Sequence, residues 1–197
     1  MSGTRAAFVD RDGVVNELVP DRLSGLPESP LRVEDVSLIP GAATALKRLH
    51  AAGWLLIGVS NQPAAAKGRV SVQQLQAVQA RVLELLRGEG VTFDAFRLCL
   101  HHPEGIVAEL SGPCDCRKPA PGMLLDAGRS LAVDFARSWM IGDTDSDVVA
   151  GHSAGCKTVL VEHQGSLHKR GRGATPDAVV PNLLTATDIV LRPDGVD

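Results

Sequence analysis

Short, continuous apolar runs alternate along this chain with stretches in which apolar residues return every three or four positions. Ala6 to Val9 is the first such run, and it stops abruptly at Asp10-Arg11-Asp12-Gly13, as expected of a buried strand followed by a tight turn. An irregular, Pro-rich stretch follows. Pro40-Gly41 then opens a helix whose Ala43, Leu46 and Leu49 share one face, with Gly53 as its C-cap. Trp54 to Val59 is apolar throughout and of strand length, the pattern of a parallel strand covered on both faces, and it ends at Ser60-Asn61-Gln62. Ser71 caps a second helix with Leu75, Val78, Val82, Leu85 and Leu86 on its apolar stripe. The pattern continues with a strand over Ala95 to Leu100, a short helix from Pro121-Gly122, and a strand over Ser138 to Ile141 that ends at Gly142-Asp143. A helix from Asp145 to Ala154, the strand Lys157 to Val161 and, from Val180, one more short strand and helix complete it. This alternation predicts an α/β fold with a doubly wound, mostly parallel sheet.

Two segments lie outside the alternation. His101 to Pro119 has neither period, and a long structureless loop in a compact domain needs a functional reason. Gln164 to Gly173, rich in glycine and basic residues, reads as a mobile loop. The length of 197 residues is enough for one good core, so residues 1–197 are expected to form a single domain. With 44% hydrophobic and 22% charged residues the composition is that of a globular protein, and no apolar run approaches the roughly 18 residues of a membrane span. The charged N-terminal stretch does not read as a secretory signal, which makes the cytoplasm the expected location. A net charge of -3 and 3% aromatic residues, with no Tyr, argue against a nucleic-acid partner.

Open parallel sheets bind ligands beyond the carboxyl ends of their strands, and here those ends carry DRDG, SNQ and GDTDSD. Asp10, Asp12 and Asp143 can converge on one hard cation, for which Mg2+ with a substrate phosphate is the natural choice. An Asp carboxylate also serves as a nucleophile that splits phosphoryl transfer into two easier steps, and a second Asp then protonates the leaving oxygen and deprotonates water. Lys118 would offset the phosphate charge. Taken singly, DRDG is also a polar turn and GDTDSD a good helix start. Turn chemistry does not readily place several such elements, in chain order, at strand ends.

The unpatterned loop carries Cys99, His101, Cys114 and Cys116, that is C-x-H followed by C-x-C. Three thiolates and one imidazole make a complete tetrahedral Zn2+ set with no open position, which is a structural site. A redox pair is the competing reading, but it leaves His101 unused and lacks C-x-x-C spacing. His102 reads as a solvated loop residue and Cys156 as a small buried hydrophobe. Because Arg117 and Lys118 follow Cys116 directly, a metal-clamped loop would fix both cations over the phosphate site.

Taken together these residues resemble the haloacid dehalogenase superfamily of phosphotransferases over nearly the whole chain. Its DxDG motif matches Asp10 to Gly13, its Ser or Thr after a strand matches Ser60, its Lys matches Lys118, and its acidic pair matches Asp143 and Asp147. The resemblance implies Asp10 as nucleophile and Asp12 as acid/base. It implies Mg2+ held by the Asp10 carboxylate, the Asp12 main-chain carbonyl and Asp143, with Asp147 outside the direct ligands or capping the helix. FVDRDGVVN, VSNQ with Lys67-Gly68, the Cys/His loop, CRKPAPGM and MIGDTDSD are most similar to the branch that hydrolyses heptose bisphosphate, with histidinol phosphate phosphatases as near relatives. That branch lacks a large cap domain and uses the same zinc arrangement. It implies substrate contacts from Ser60, Asn61, Gln62, Arg117 and Lys118, with the Arg117 fork suited to a second phosphate. The expected partner is therefore a small phosphorylated metabolite, a sugar bisphosphate first, acted on by a monomer.

Residues 17–40 depart from that branch: the usual compact Gly-Tyr loop is replaced by a longer stretch without Tyr. The stretch sits at the predicted mouth, where it is either a surface loop or a specificity element. SNQPAAAKG also has Pro63 and an Ala run where the branch commonly has Ser-Gly. Histidinol phosphate or a modified sugar phosphate, and a non-catalytic zinc-stabilised binding module, remain as other readings of the same residues.

Overall fold

In the computed structural model, which describes residues 3–171 and 173–192, the apolar runs become six parallel strands of one sheet. These are β1 (Ala6–Val9), β4 (Leu55–Asn61), β5 (Ala95–Cys99), β6 (Trp139–Gly142), β7 (Lys157–Val161) and β8 (Ala178–Val180), and their spatial order is β5-β4-β1-β6-β7-β8. The strand order runs outward from β1 in both directions, so the crevice above β1 is the topological switch point at which doubly wound sheets bind ligands.

Successive side chains of each strand point to opposite faces, and the two faces bury different sets. Ala7, Val9, Leu56, Trp139 and Ile141 pack with α1 (Ala42–Ala51), α2 (Val72–Gly88) and α5 (Leu183–Val190). Ala6, Phe8, Ile57, Val59 and Met140 pack with α3 (Gly122–Ser130) and α4 (Asp145–Ala154) on the other face. Two-sided burial explains why these strands read as continuous apolar runs. In α1 the buried stripe is Ala42, Ala45, Leu46 and Leu49, so Ala43 lies at its edge and not at its centre. Gly53, at φ 79°, follows the α1 cap as expected, and Ser71 caps α2 through the Gln74 amide at 3.1 Å. No helix among the described residues is long and apolar enough to cross a membrane.

Two expectations need correction. The Pro-rich stretch after β1 is not wholly irregular: β2 (Val19–Pro20) and β3 (Pro27–Glu28) form an antiparallel hairpin. Asp21 anchors its turn by accepting from the Leu23 and Ser24 amides at 3.1 and 2.9 Å, and it also pairs with Arg69. Residues Gln164–Lys169 are not a mobile loop either. They form a 3-10 turn against the hairpin, with Ser166 fully buried and Lys169 paired to Glu28 at 2.7 Å. Arg170 ties the end of this turn to the Val161 and Asp143 carbonyls at 2.6 and 2.8 Å. Arg172, part of the predicted loop, lies outside the described residues.

Candidate active site

The carboxyl ends of β1, β4 and β6 are adjacent, and each delivers polar side chains into one crevice. Parallel pairing aligns Val9 with Gly58 and with Ile141, so Asp10 emerges level with the ends of both neighbouring strands. Its amide donates to the Ile141 carbonyl at 2.9 Å, and its Oδ1 accepts from the Arg11 amide at 2.7 Å. Gly13 must turn the chain at φ 81°, and a Cβ there would overlap the Asp143 carboxylate. The glycine of DRDG is thus required by backbone geometry and by close approach at once.

Lys118 Nζ lies 2.9 Å from Asp10 Oδ1, 2.6 Å from Asp147 Oδ1 and 2.7 Å from the Val59 carbonyl. Burial works against the ammonium, yet Asp10 and Asp147 beside it push its pKa above the usual lysine range. Asp147 also closes a capping box on α4, accepting from the Thr144 amide at 3.0 Å and its hydroxyl at 2.6 Å. The cap is one of the two roles expected of Asp147, but its carboxylate also stands in the acidic cluster that could hold an ion, where it was expected to lie outside the direct ligands. Burial, opposed by Lys118 and reinforced by Asp147 and Asp12, raises the Asp10 pKa to about 6. Burial and then the Asp10 and Asp147 charges also push Asp143 well above the usual carboxylate range.

Ligand oxygens of Asp10, Asp143 and Asp147 lie within 4.8 Å of one another. Asp143 Oδ2 accepts from the Ser166 hydroxyl, but its Oδ1 is buried without a hydrogen-bond partner. Buried carboxylates crowded together, with one oxygen orphaned, are stabilised by a hard divalent cation with oxygen coordination, so the residues present fit such an ion.

Asp12 faces elsewhere. Its Oδ1 accepts from Asn16 Nδ2 at 2.9 Å and from Arg11 Nε at 3.2 Å; its Oδ2 accepts from Gln62 Nε2 at 2.6 Å, Ser29 Oγ at 3.0 Å and Arg11 Nη2 at 3.0 Å. Burial would raise its pKa, but Arg11, Asn16 and Gln62 outweigh it and hold the group below the usual carboxylate range. Arg11 itself is fully buried and donates to Gln79 of α2 at 2.9 Å. The SNQ side chains serve as struts in this structure. Gln62 Nε2 donates to Ser60 Oγ at 2.9 Å as well as to Asp12, and Asn61 binds both main-chain groups of Lys118, at 2.9 and 3.1 Å. In this structure the Asn61 side chain thus positions Lys118. Arg11, Asn16, Ser29, Gln79 and Ser166 were not anticipated; only Arg11, set between two Asp residues, carried a local signal.

The Cys/His loop is gathered as expected. Cys99, at the end of β5, lies 3.7 Å from Cys114 and 3.0 Å from Cys116, Cys114 lies 3.5 Å from Cys116, and His101 Nδ1 is 3.3 Å from Cys116 and 3.9 Å from Cys99. A disulfide would need about 2.05 Å, whereas ligands around tetrahedral zinc stand about 3.8 Å apart, so the donor set and its spacing fit Zn2+. His102 stays outside the cluster, and Cys156 is buried with its thiol pushed up to about 12 by burial. Arg117, half-buried, donates to the His101 carbonyl at 3.3 Å, and partial burial followed by the Lys67 and Arg117 charges holds His102 below its usual pKa. Lys67 and Arg117 therefore both lie close enough to His102 to disfavour its charged form.

A parallel sheet with an Asp-x-Asp turn after its central strand, a buried lysine bridging two carboxylates and an acidic helix start is a haloacid dehalogenase-like hydrolase. A HAD-hydrolase-like family model matches residues 115–186. A D-glycero-D-manno-heptose-1,7-bisphosphate 7-phosphatase from Thermosynechococcus vestitus is 40% identical over 93% of both chains. One from Rhodopseudomonas palustris, named for the β anomer, is 39% identical over 76% of this chain and 79% of its own. Among solved structures, a D,D-heptose 1,7-bisphosphate phosphatase from B. bronchiseptica, complexed with magnesium and phosphate, superposes with a TM-score of 0.78 at 29% identity, covering 94% of this chain and 97% of the other. A HAD-like protein from Mesorhizobium loti gives a TM-score of 0.79 at 31% identity, with 98% and 90% coverage. The chain belongs to the D-glycero-D-manno-heptose-1,7-bisphosphate 7-phosphatase family.

Proposed function

We propose that residues 1–197 form one catalytic domain that hydrolyses a phosphomonoester through an aspartyl-phosphate on Asp10, removing the 7-phosphate of D-glycero-D-manno-heptose 1,7-bisphosphate. The observation that carries this reading is the Asp10–Lys118 pair at 2.9 Å, buried beside Asp143 at the switch point of the sheet. A carboxylate held against an ammonium is positioned to attack phosphorus, and the same ammonium offsets the charge of the phosphoryl oxygens. Asp10, the Asp12 carbonyl and Asp143 would hold Mg2+, which when bound neutralises charge on the transferring group. Asp12, ionised against Arg11 until substrate binds, takes up a proton with the substrate, passes it to the leaving sugar oxygen and then takes one from the water that attacks the acyl phosphate. Ser60 holds a phosphoryl oxygen, with Gln62 fixing both Ser60 and Asp12. Arg117 takes the second phosphate of a bisphosphate through its planar fork, and the zinc loop fixes it there.

The partner is then a small metabolite and not nucleic acid or a membrane. The chain works as a monomer in the cytoplasm, where a reduced thiolate set persists. Mg2+-dependent phosphate release by wild type against Asp10→Asn tests the reaction, and also separates it from a non-catalytic binding module. Because the β2–β3 hairpin departs from the expected loop, the assay includes histidinol phosphate and a panel of sugar phosphates. Faster turnover of one of these than of the heptose bisphosphate would overturn the choice of substrate.

A further inference from the structure

The two oxygens of Asp12 are not equivalent. Oδ1 is enclosed by Arg11 and Asn16, both fully buried. Oδ2 has Arg11 and Gln62 behind it, also buried, and Ser29 as its one partly exposed donor at 3.0 Å. A substrate oxygen that exchanges a proton with Asp12 must therefore come to Oδ2 from the mouth, beside the Ser29 hydroxyl. That hydroxyl belongs to the segment that departs from the family loop, and its position is held on both sides. Glu28 is clamped by Lys169 at 2.7 Å and His168 at 3.5 Å, while Pro30 is buried.

We propose that Ser29 is a further catalytic residue whose hydroxyl hydrogen-bonds the leaving-group oxygen of the substrate next to Asp12. This inference rests on the reaction proposed above. As the Asp10 oxygen bonds to phosphorus, the bond from phosphorus to the sugar oxygen breaks and its electron pair stays on that oxygen, which takes the proton that Asp12 acquired when substrate bound. Ser29 keeps its own proton, and its hydroxyl turns from Asp12 Oδ2 to donate to the same oxygen while negative charge builds there. Its contribution is therefore large for an alkoxide-like leaving group and small for one that is already a stable anion.

The test compares kcat on the heptose bisphosphate, an alkyl ester, with kcat on 4-nitrophenyl phosphate, whose phenolate departs without a proton. In Ser29→Ala the alkyl-to-aryl ratio falls about tenfold, the scale of one hydrogen bond to a charged group. Ser29→Thr, which keeps a hydroxyl, restores the ratio. Lys169→Ala, which frees Glu28 without touching Asp12, lowers it in the same direction. A ratio unchanged in Ser29→Ala, including one in which both substrates slow equally, overturns the inference. Loss of turnover in Asp10→Asn is read in the same assay, so a failure of the reaction itself is distinguishable from a failure at Ser29.

Discussion

Asn61 grips Lys118 by its main chain, accepting from the lysine amide at 3.1 Å and donating to its carbonyl at 2.9 Å. Two hydrogen bonds from one planar amide fix both position and rotation of the peptide, so the Lys118 side chain leaves the loop in one direction, toward Asp10. Asn61→Ala should lower kcat by about ten- to a hundredfold with little change in KM, because a small displacement of a charge-stabilising group is costly in the transition state. Steady-state kinetics on the heptose bisphosphate reads this directly, and an unchanged kcat would show that the zinc loop alone positions Lys118.

That loop is the second support of the same lysine. Asn61 is paired with Cys99 in the sheet, and the Gln62 amide donates to the Cys99 carbonyl at 2.7 Å, so the proposed zinc site is joined to the end of β4. Cys114→Ser removes one of four ligands. Bound zinc measured by atomic absorption should fall, the melting temperature should drop, and kcat should decline while the Mg2+ concentration for half-activation stays near that of wild type. Equal zinc content and kinetics would refute the clamp.

The crowded carboxylates make stability depend on pH in an unusual direction. An isolated Asp titrates near 3.8, and in the folded protein Asp10 is raised to about 6, with Asp143 raised as well. Between those values the unfolded chain has released protons that the folded chain retains, so stability is highest below pH 3.8 as far as these groups are concerned and declines as pH rises through about 6. Melting curves of chelator-treated protein should therefore move to lower temperature across this interval. Added Mg2+ should flatten or reverse the trend, because the cation favours the ionised carboxylates. Melting curves equally steep with and without Mg2+ would count against a cation at Asp10 and Asp143.

Much of this was legible along the chain because apolar runs and their polar stops report directly on a sheet covered on both faces. The stops at Asp10, Ser60 and Asp143 fall at neighbouring strand ends in the structure. What periodicity could not reveal are the partners brought in from distant segments. Ser29 reaches Asp12 from an apparently irregular stretch, and Ser166 reaches Asp143 from a stretch whose glycines and basic residues suggested mobility. Arg11 was hidden for a different reason. A charged residue in a turn normally faces solvent, and only the carboxylate beside it and Gln79 on α2 make its complete burial tolerable.

Arg11 and Asp12 allow stability to be separated from catalysis. Their buried pair stands at 3.0 Å, and removing only the cation leaves the Asp12 charge in the interior with the neutral donors Asn16, Gln62 and Ser29. Arg11→Met should therefore cost about 3–5 kcal/mol in urea unfolding. Adding Asp12→Asn removes the stranded charge, so the double variant should recover part of that loss. It should nevertheless remain inactive, since an amide cannot exchange the proton with the leaving oxygen. Additive stability losses in the two single variants and the double variant would mean that the ion pair is not the coupling unit of this turn.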